Sequence, residues 1–222
     1  MIASVWDRRI ERASELIPTF PSAAEMLRFY GEIARFQKAI YEEQPAQASD
    51  ALRRMSALAA LVSRTGPADL ARNAGETGFL ERWLLQPFYE YRAAKSPATA
   101  GGEQAVCPFC GEQPQVGVLR GEGDGAKRSL ICSLCSTEWD FRRLLCPNCG
   151  EEAPEKLPVY LAEEIPYVRV EACDACHTYI KAVDLSRNGL AVPVVDELAT
   201  VSLNLWAQEH GYTKLQVNLL GM

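Results

Sequence analysis

All eight cysteines of this 222-residue chain fall in four Cys-x-x-Cys pairs, 107/110, 132/135, 146/149 and 173/176. Two thiolates three residues apart can grip one face of a tetrahedral ion, while the N–H groups of the tight turn between them point at the sulfurs. A disulfide framework fits poorly, because bridges are seldom confined to one spacing and the chain reads as a resident of a reducing compartment. Thioredoxin-like redox motifs come singly, at the start of a helix that follows a strand. Metal thiolates are therefore the expected use. A glycine after the second cysteine, which permits the positive φ such a turn often needs, follows two of the pairs, in CPFCG and CPNCG, but not CSLCS or CDACH.

Spacing suggests which pairs share an ion. Between the first and second pairs lie 21 residues and between the third and fourth 23, each enough for a hairpin that returns to one ion. Only ten separate the second from the third, and those ten, STEWDFRRLL, contain no Gly, Pro or Asn. Read as one strand they would span about 33 Å and hold their ends apart. The expected sites are Cys107, Cys110, Cys132 and Cys135 for one ion, and Cys146, Cys149, Cys173 and Cys176 for the other. A cross-braced pairing, first with third and second with fourth, stays open, since spacing does not fix topology. Iron and zinc both accept four thiolates tetrahedrally, so the metal is one or the other.

Closed four-ligand sites leave no position for water or substrate. Only two histidines are present, His177 and His210, and His177, directly after Cys176, could compete as a ligand. A Ser-His-Asp triad, a P-loop and a G-x-G-x-x-G are absent. The expectation is a protein that is not an enzyme.

The first hundred residues carry helical periodicity. A short helix from Ser4 to Ile17 stops at Pro18 and Pro21, and Ser22 with Glu25 reads as a capping box for the next. Leu52 to Val62 marks a third helix ended by Gly66-Pro67, and FLERWLLQPFYEYRA a fourth, which Pro87 should kink or divide. The expected organisation is a helical bundle over 1–97, a linker over 98–104 and two small β modules over 105–145 and 146–222. A single helix is expected from Asp196 to His210, with Gly211 as its left-handed cap. GEGDGA and SRNG read as hairpin turns. No apolar run is long enough to cross a bilayer and the N-terminus does not read as a signal peptide, so a cytoplasmic protein without membrane insertion is expected.

In their full order, CPFCG, CSLCSTEW, CPNCG, EACDACHTYIK, VVDELATVSLNLWAQEHGY and VNLLG resemble the formate dehydrogenase accessory protein family of FdhE type. RFYGEIARFQKAI and FLERWLLQPFYEY add weaker matches. The resemblance implies a helical domain followed by two rubredoxin-like, zinc-ribbon-type modules, with iron associated with such sites. It also implies a cytoplasmic assembly factor whose partner is the catalytic subunit of a formate dehydrogenase; homodimerisation is left open. His177 stands where a glycine is expected, and the helical part is short for the family.

An assembly factor works through its surface. Trp139, Arg142 and Arg143 on the segment between the sites are candidate anchors, with Tyr179 and Lys181 after the last pair as weaker ones, because Trp and Arg favour interfaces; the competing reading of the segment is a buried Trp139 with solvated arginines. Two alternatives are a nucleic-acid-binding zinc ribbon and a rubredoxin-like redox carrier or sensor. Against the ribbon, residues 101–222 hold 10 Lys and Arg against 17 Asp and Glu, a net charge of −7. Such a module gains nothing from releasing phosphate counterions, so nucleic acid is not an expected partner.

Overall fold

The structure is a computed structural model that describes residues 4–68, 77–96, 104–123 and 125–222, with the backbone alone described at 77–79. Packing divides the chain into two compact units, Met1–Pro97 and Ala98–Met222. The linker expected over 98–104 lies, except for Gln104, outside the described residues.

The first unit is helical: α1 (Val5–Leu16), a 3-10 turn (Pro21–Ala23), α2 (Ala24–Glu42), α3 (Ala48–Leu52), α4 (Met55–Thr65) and α5 (Thr77–Lys95). Ser22 does not cap α2. Pro21 starts the 3-10 turn, Ser22 lies within it, and α2 begins at Ala24 with no side-chain cap. Capping boxes stand instead at α1 and α3; at α1 Ser4 accepts from the Asp7 N–H and Asp7 reaches back to the Ser4 N–H. Trp6, Leu27, Phe29, Ile33, Leu58, Val62, Trp83 and Leu84 are buried as the core, and Arg9 meets Glu90 among them at 2.9 Å.

Helix α5 runs through Pro87 as one helix, so of the expected kink or division the division does not occur. Proline has no N–H for the carbonyl four residues earlier, here that of Trp83, which an interior proline would leave without a partner. Gln37 of α2 supplies it: its Nε2 donates to the Trp83 carbonyl at 2.8 Å and to Gln86 Oε1 at 2.8 Å.

The second unit is built on one sheet. Its strands are β1 (Pro114–Glu122), β2 (Gly125–Cys132), β3 (Glu138–Asp140), β4 (Val159–Leu161), β5 (Val168–Cys173), β6 (Thr178–Asp184) and β7 (Thr213–Lys214). Their order is β3-β2-β1-β6-β5-β4, with β7 also paired to β6. β1-β2-β3 and β4-β5-β6 are two antiparallel meanders of the same plan, each a ribbon carrying two cysteine pairs. They meet where β1 runs parallel to β6, with Gly117 opposite Ala182. A Cβ on Gly117 would stand 3.1 Å from that of Ala182, so two small residues let the ribbons merge.

The segment between the second and third cysteine pairs is not the ten-residue strand expected from its composition. Only Glu138–Asp140 is extended, paired with Ser129–Ile131 of β2, and Phe141 closes the ladder by donating to the Arg128 carbonyl. The turn at SRNG is present but leads to no strand. Asp184 Oδ1 accepts from the Ser186 N–H at 3.0 Å, and the chain passes on into α6 (Pro193–Ala199).

A second helix, α7 (Val201–Glu209), follows, so the expected single helix is broken at Thr200. Buried Lys181 accounts for the break. Its Nζ donates to the carbonyls of Glu197 and Thr200 and to the Thr200 hydroxyl, and the helix opens there to present them. Gly211 takes φ +83°, the left-handed cap expected of it.

Candidate metal centre

In each ribbon one cysteine pair precedes the first strand and the other lies in the turn between the second and third. Both pairs therefore close at one end of their ribbon. Because β1 and β6 run parallel, both clusters lie at the same end of the sheet. Cys107, Cys110, Cys132 and Cys135 form one group, and Cys146, Cys149, Cys173 and Cys176 the other, with all four sulfurs of each group within 4.8 Å of one another. This is the consecutive pairing; the cross-braced one is not formed.

The donor sets fit a tetrahedral ion. Four sulfurs about 2.3 Å from a zinc ion stand about 3.8 Å from each other. Cys146 Sγ lies 3.7 Å from Cys176 Sγ and Cys149 Sγ 3.7 Å from Cys173 Sγ, while the first site is slightly tighter, with 3.4 Å from Cys110 to Cys132 and 3.5 Å from Cys107 to Cys135. Backbone N–H groups support the sulfurs: those of Phe109, Leu134 and Asn148 lie 3.4 Å from Cys107, Cys132 and Cys146. Thr137 and Thr178 stand at matching places, with hydroxyls 3.1 Å from Cys135 and 3.0 Å from Cys176.

Crowded thiols cannot all ionise without a cation. In the first site, hydrogen bonds from the neighbouring cysteines draw the Cys107 thiol down, and the same neighbours push Cys132 up. In the second, burial pushes Cys173 up to about 12. At Cys176 burial acts upward too, but the Thr178 hydroxyl and the Asn148 side chain bring it down to about 6. The clusters are sites whose proton count a bound cation would reset.

All four turns have the same backbone. The residue after the second cysteine has positive φ in every case: Gly111 at 80°, Ser136 at 53°, Gly150 at 77° and His177 at 54°. The missing glycines thus did not change the turns. His177 is exposed, lies outside the sulfur cluster, and sets its ring 6.3 Å from that of Tyr212. His210 stacks on Trp206 at 4.1 Å. We expect His177→Gly to retain the parent's metal content and remain within about 1 kcal/mol of its stability, whereas His177→Val loses about 1–2 kcal/mol, because a β-branched residue resists the left-handed region. Metal analysis and urea unfolding check this. A lost ion in His177→Gly would make His177 a ligand.

The candidate surface anchors fare differently. Trp139 is buried, its Nε1 donating to the Gln104 carbonyl at 2.9 Å, and Tyr179 and Lys181 are buried as well. Alternation along β3 turns Trp139 inward, and β6 is buried on both faces, so none of the three presents its side chain to a partner. Arg142 and Arg143 are exposed. Arg142 pairs with Glu152 at 2.5 Å, and Arg143 lines a groove of about 480 Å³ with Leu144, Val159, Arg169 and Glu171.

The sequence reading missed the centre of the buried polar network. Glu197 of α6, fully buried, holds Lys181 at 3.0 Å, Lys214, Asn218 at 3.1 Å and Gln115 at 3.4 Å. It thereby ties β1, β6 and the C-terminal segment together. The only signal was a carboxylate pair, Asp196-Glu197, set inside otherwise apolar helical text.

Comparison with known proteins gives a consistent result. Residues 106–143 match the model described as FdhE, central domain, and 145–220 match FdhE, C-terminal domain, together just over half of the chain. A relative from Aquifex aeolicus, a Protein FdhE homolog, is 42% identical over 117 residues, 52% of this chain and 41% of its own length. One from Haemophilus influenzae is 33% identical over 142 residues, 61% of this chain and 46% of its own. The aligned part thus spans less than half the length of these relatives. The crystal structure of the FdhE protein from Pseudomonas aeruginosa has the same fold, with TM-score 0.75 and 21% identity over 99% of this chain and 97% of that one. Among the described residues no helix is long and apolar enough to cross a membrane.

Proposed function

The chain belongs to the FdhE family, and from this membership we propose that it is an accessory protein for formate dehydrogenase, which binds the catalytic subunit of that enzyme during maturation. The observation that carries the reading is that both family models fall, in order, on the residues that build the two four-cysteine clusters. The protein acts in the cytoplasm and is not itself an enzyme. Each cluster holds one ion, iron or zinc. A bound tetrathiolate ion supplies a cross-link between strands that share no covalent bond and, as iron, a one-electron couple. The chain's own residues do the rest: the cysteine turns fix the sulfurs, and the sheet carries both sites at one end, a rigid platform for a client.

An anaerobic affinity purification of the tagged chain from its own host, grown under formate-oxidising conditions, tests this. The expected result is recovery of a formate dehydrogenase catalytic subunit, lost when Cys107 and Cys146 are both changed to serine. Recovery of nucleic acid or of RNA polymerase in its place would overturn the reading in favour of a nucleic-acid-binding ribbon.

A further inference from the structure

Building on the reading of both clusters as ion sites, we propose that the two are chemically unequal. The ion held by Cys146, Cys149, Cys173 and Cys176 is a ligand-exchange centre, which accepts a soft donor from outside, a thiolate or sulfide, at the place of Cys149. The ion of the first site is closed to such exchange.

The two ribbons share a plan, so their sites can be compared position by position. In the first, Cys107, Cys132 and Cys135 are buried and Cys110 is half-buried. The turn residues Ser133 and Leu134 are buried too, and Ser133 is fixed to the Gln113 carbonyl by its N–H at 3.1 Å and its hydroxyl at 2.8 Å. In the second site the matching turn residues, Asp174 and Ala175, are exposed, and so are Asn148 and Cys149 on the other turn, where Phe109 and Cys110 of the first site are half-buried. Cys149 is the exposed cysteine of the eight, while Cys146 and Cys173 beside it are buried. Two buried thiolates and half-buried Cys176 thus hold the ion from within, and the fourth ligand faces solvent.

Ligand exchange at a tetrahedral thiolate ion needs a donor to reach the metal from the side of the leaving ligand, and the surrounding shell controls that access. An incoming thiol gives up its proton and bonds through sulfur to the ion; the bond from the ion to Cys149 breaks, and the released thiolate takes up a proton. No electron is transferred. The other turn of the same site carries aromatic surface. Beside the turn of Asp174 to Cys176 stands an aromatic wall in which Tyr160 lies 4.6 Å from Trp206 and 6.2 Å from Tyr212, whose hydroxyl donates to Asp174 at 2.6 Å. Sulfur packs favourably against aromatic rings.

The test uses the full chain loaded with zinc. Metal analysis first establishes two ions per chain; fewer would overturn the ion-site reading itself, separately from the inequality. Release is then followed with a chromogenic chelator, with 2-mercaptoethanol as the soft donor. We expect two phases of equal amplitude whose rates differ at least about tenfold. The fast one accelerates with mercaptoethanol concentration and the slow one does not. Cys149→Ser should retain only the slow ion. In the unaltered protein, N-ethylmaleimide should label Cys149 first and Cys107, Cys132 and Cys135 last, a readout independent of any variant's folding. A single phase, a fast ion retained in Cys149→Ser, or first labelling at Cys107 or Cys132 would overturn the proposal.

Discussion

Changing Cys132 to serine will leave the chain with one bound ion in place of two and destabilise residues 98–222 by at least about 5 kcal/mol. Cys132 is the last residue of β2 and pairs with Pro114 at the start of β1, so its sulfur anchors both strands of the first hairpin at the cluster end. A structural zinc ion contributes roughly 10–16 kcal/mol to folding in small zinc modules, and a whole domain has about 5–15 kcal/mol to lose. The sheet is larger than such a module and has an apolar core of its own in Val116, Val118, Leu130 and Val170, which is why the expected loss is below the full metal contribution. Since β1 also holds β6, the damage should reach the second ribbon. Metal analysis with amide hydrogen exchange resolves this: exchange should quicken along β1, β2 and β6. A variant that loses one ion with protection unchanged would show that the first cluster does not brace the sheet.

The second large effect concerns Glu197. The two lysines flanking it hold its carboxyl at about 2, against the upward push of burial. Burial draws Lys181 down to about 8, although Glu197 pulls it the other way. The two shifts have opposite consequences at neutral pH. A carboxylate held down stabilises the fold by roughly 3 kcal/mol, and an ammonium held down costs about as much, so the pair as a whole is near neutral. Removing one partner is not. Glu197→Gln leaves Lys181 and Lys214 facing each other without a counter-charge and should cost about 3–5 kcal/mol. Lys181→Met added to it should restore a large part.

The sign of the pH dependence follows from the same shifts. Glu197 lies below its ordinary value of 4.5, so its contribution is complete above about 4.5 and is lost as pH falls towards 2. Lys181 lies below 10.5, so the unfolded chain binds more protons between about 8 and 10.5, and its penalty is relieved as pH rises through that window. Urea unfolding of the parent, the two single variants and the double variant, at about pH 3, 7 and 10, measures both. Additive losses in the double variant would show that the two charges do not interact.

The sulfur pairing was legible because the residues that carry it announce themselves: a cysteine has few uses, and the 21- and 23-residue spacings return each hairpin to its own ion. The reason first given for separate sites, a long strand between them, was not needed. Only three residues of it are strand, paired with β2. What stayed hidden was non-local. Nothing near Pro87 tells that Gln37 will satisfy the Trp83 carbonyl, and nothing near Lys181 tells that Glu197 lies over it. Lys181 read as a surface candidate, yet it faces inward, whereas Trp139 is buried with Arg142 and Arg143 exposed, as the alternative to its role as an anchor had it. The parallel join left one trace, Gly117 between two valines, which is the place where the neighbouring backbone comes close.

That join has an arithmetic of its own. Two ribbons laid side by side by translation form a series with no natural last member, because the free borders, β3 and β4, are copies of the strands that meet in the middle. A further ribbon, or one from another molecule, could be added by the same rule, and the sheet would grow as a filament. The borders are altered against it. The place of Gly117 is occupied on β4 by Val159, opposite Glu171 as Gly117 is opposite Leu130, and the place of Ala182 is taken by Phe141, which bonds to Arg128 as Ala182 pairs with Arg169. Neither border therefore repeats the pair of small residues that lets the ribbons meet at the join.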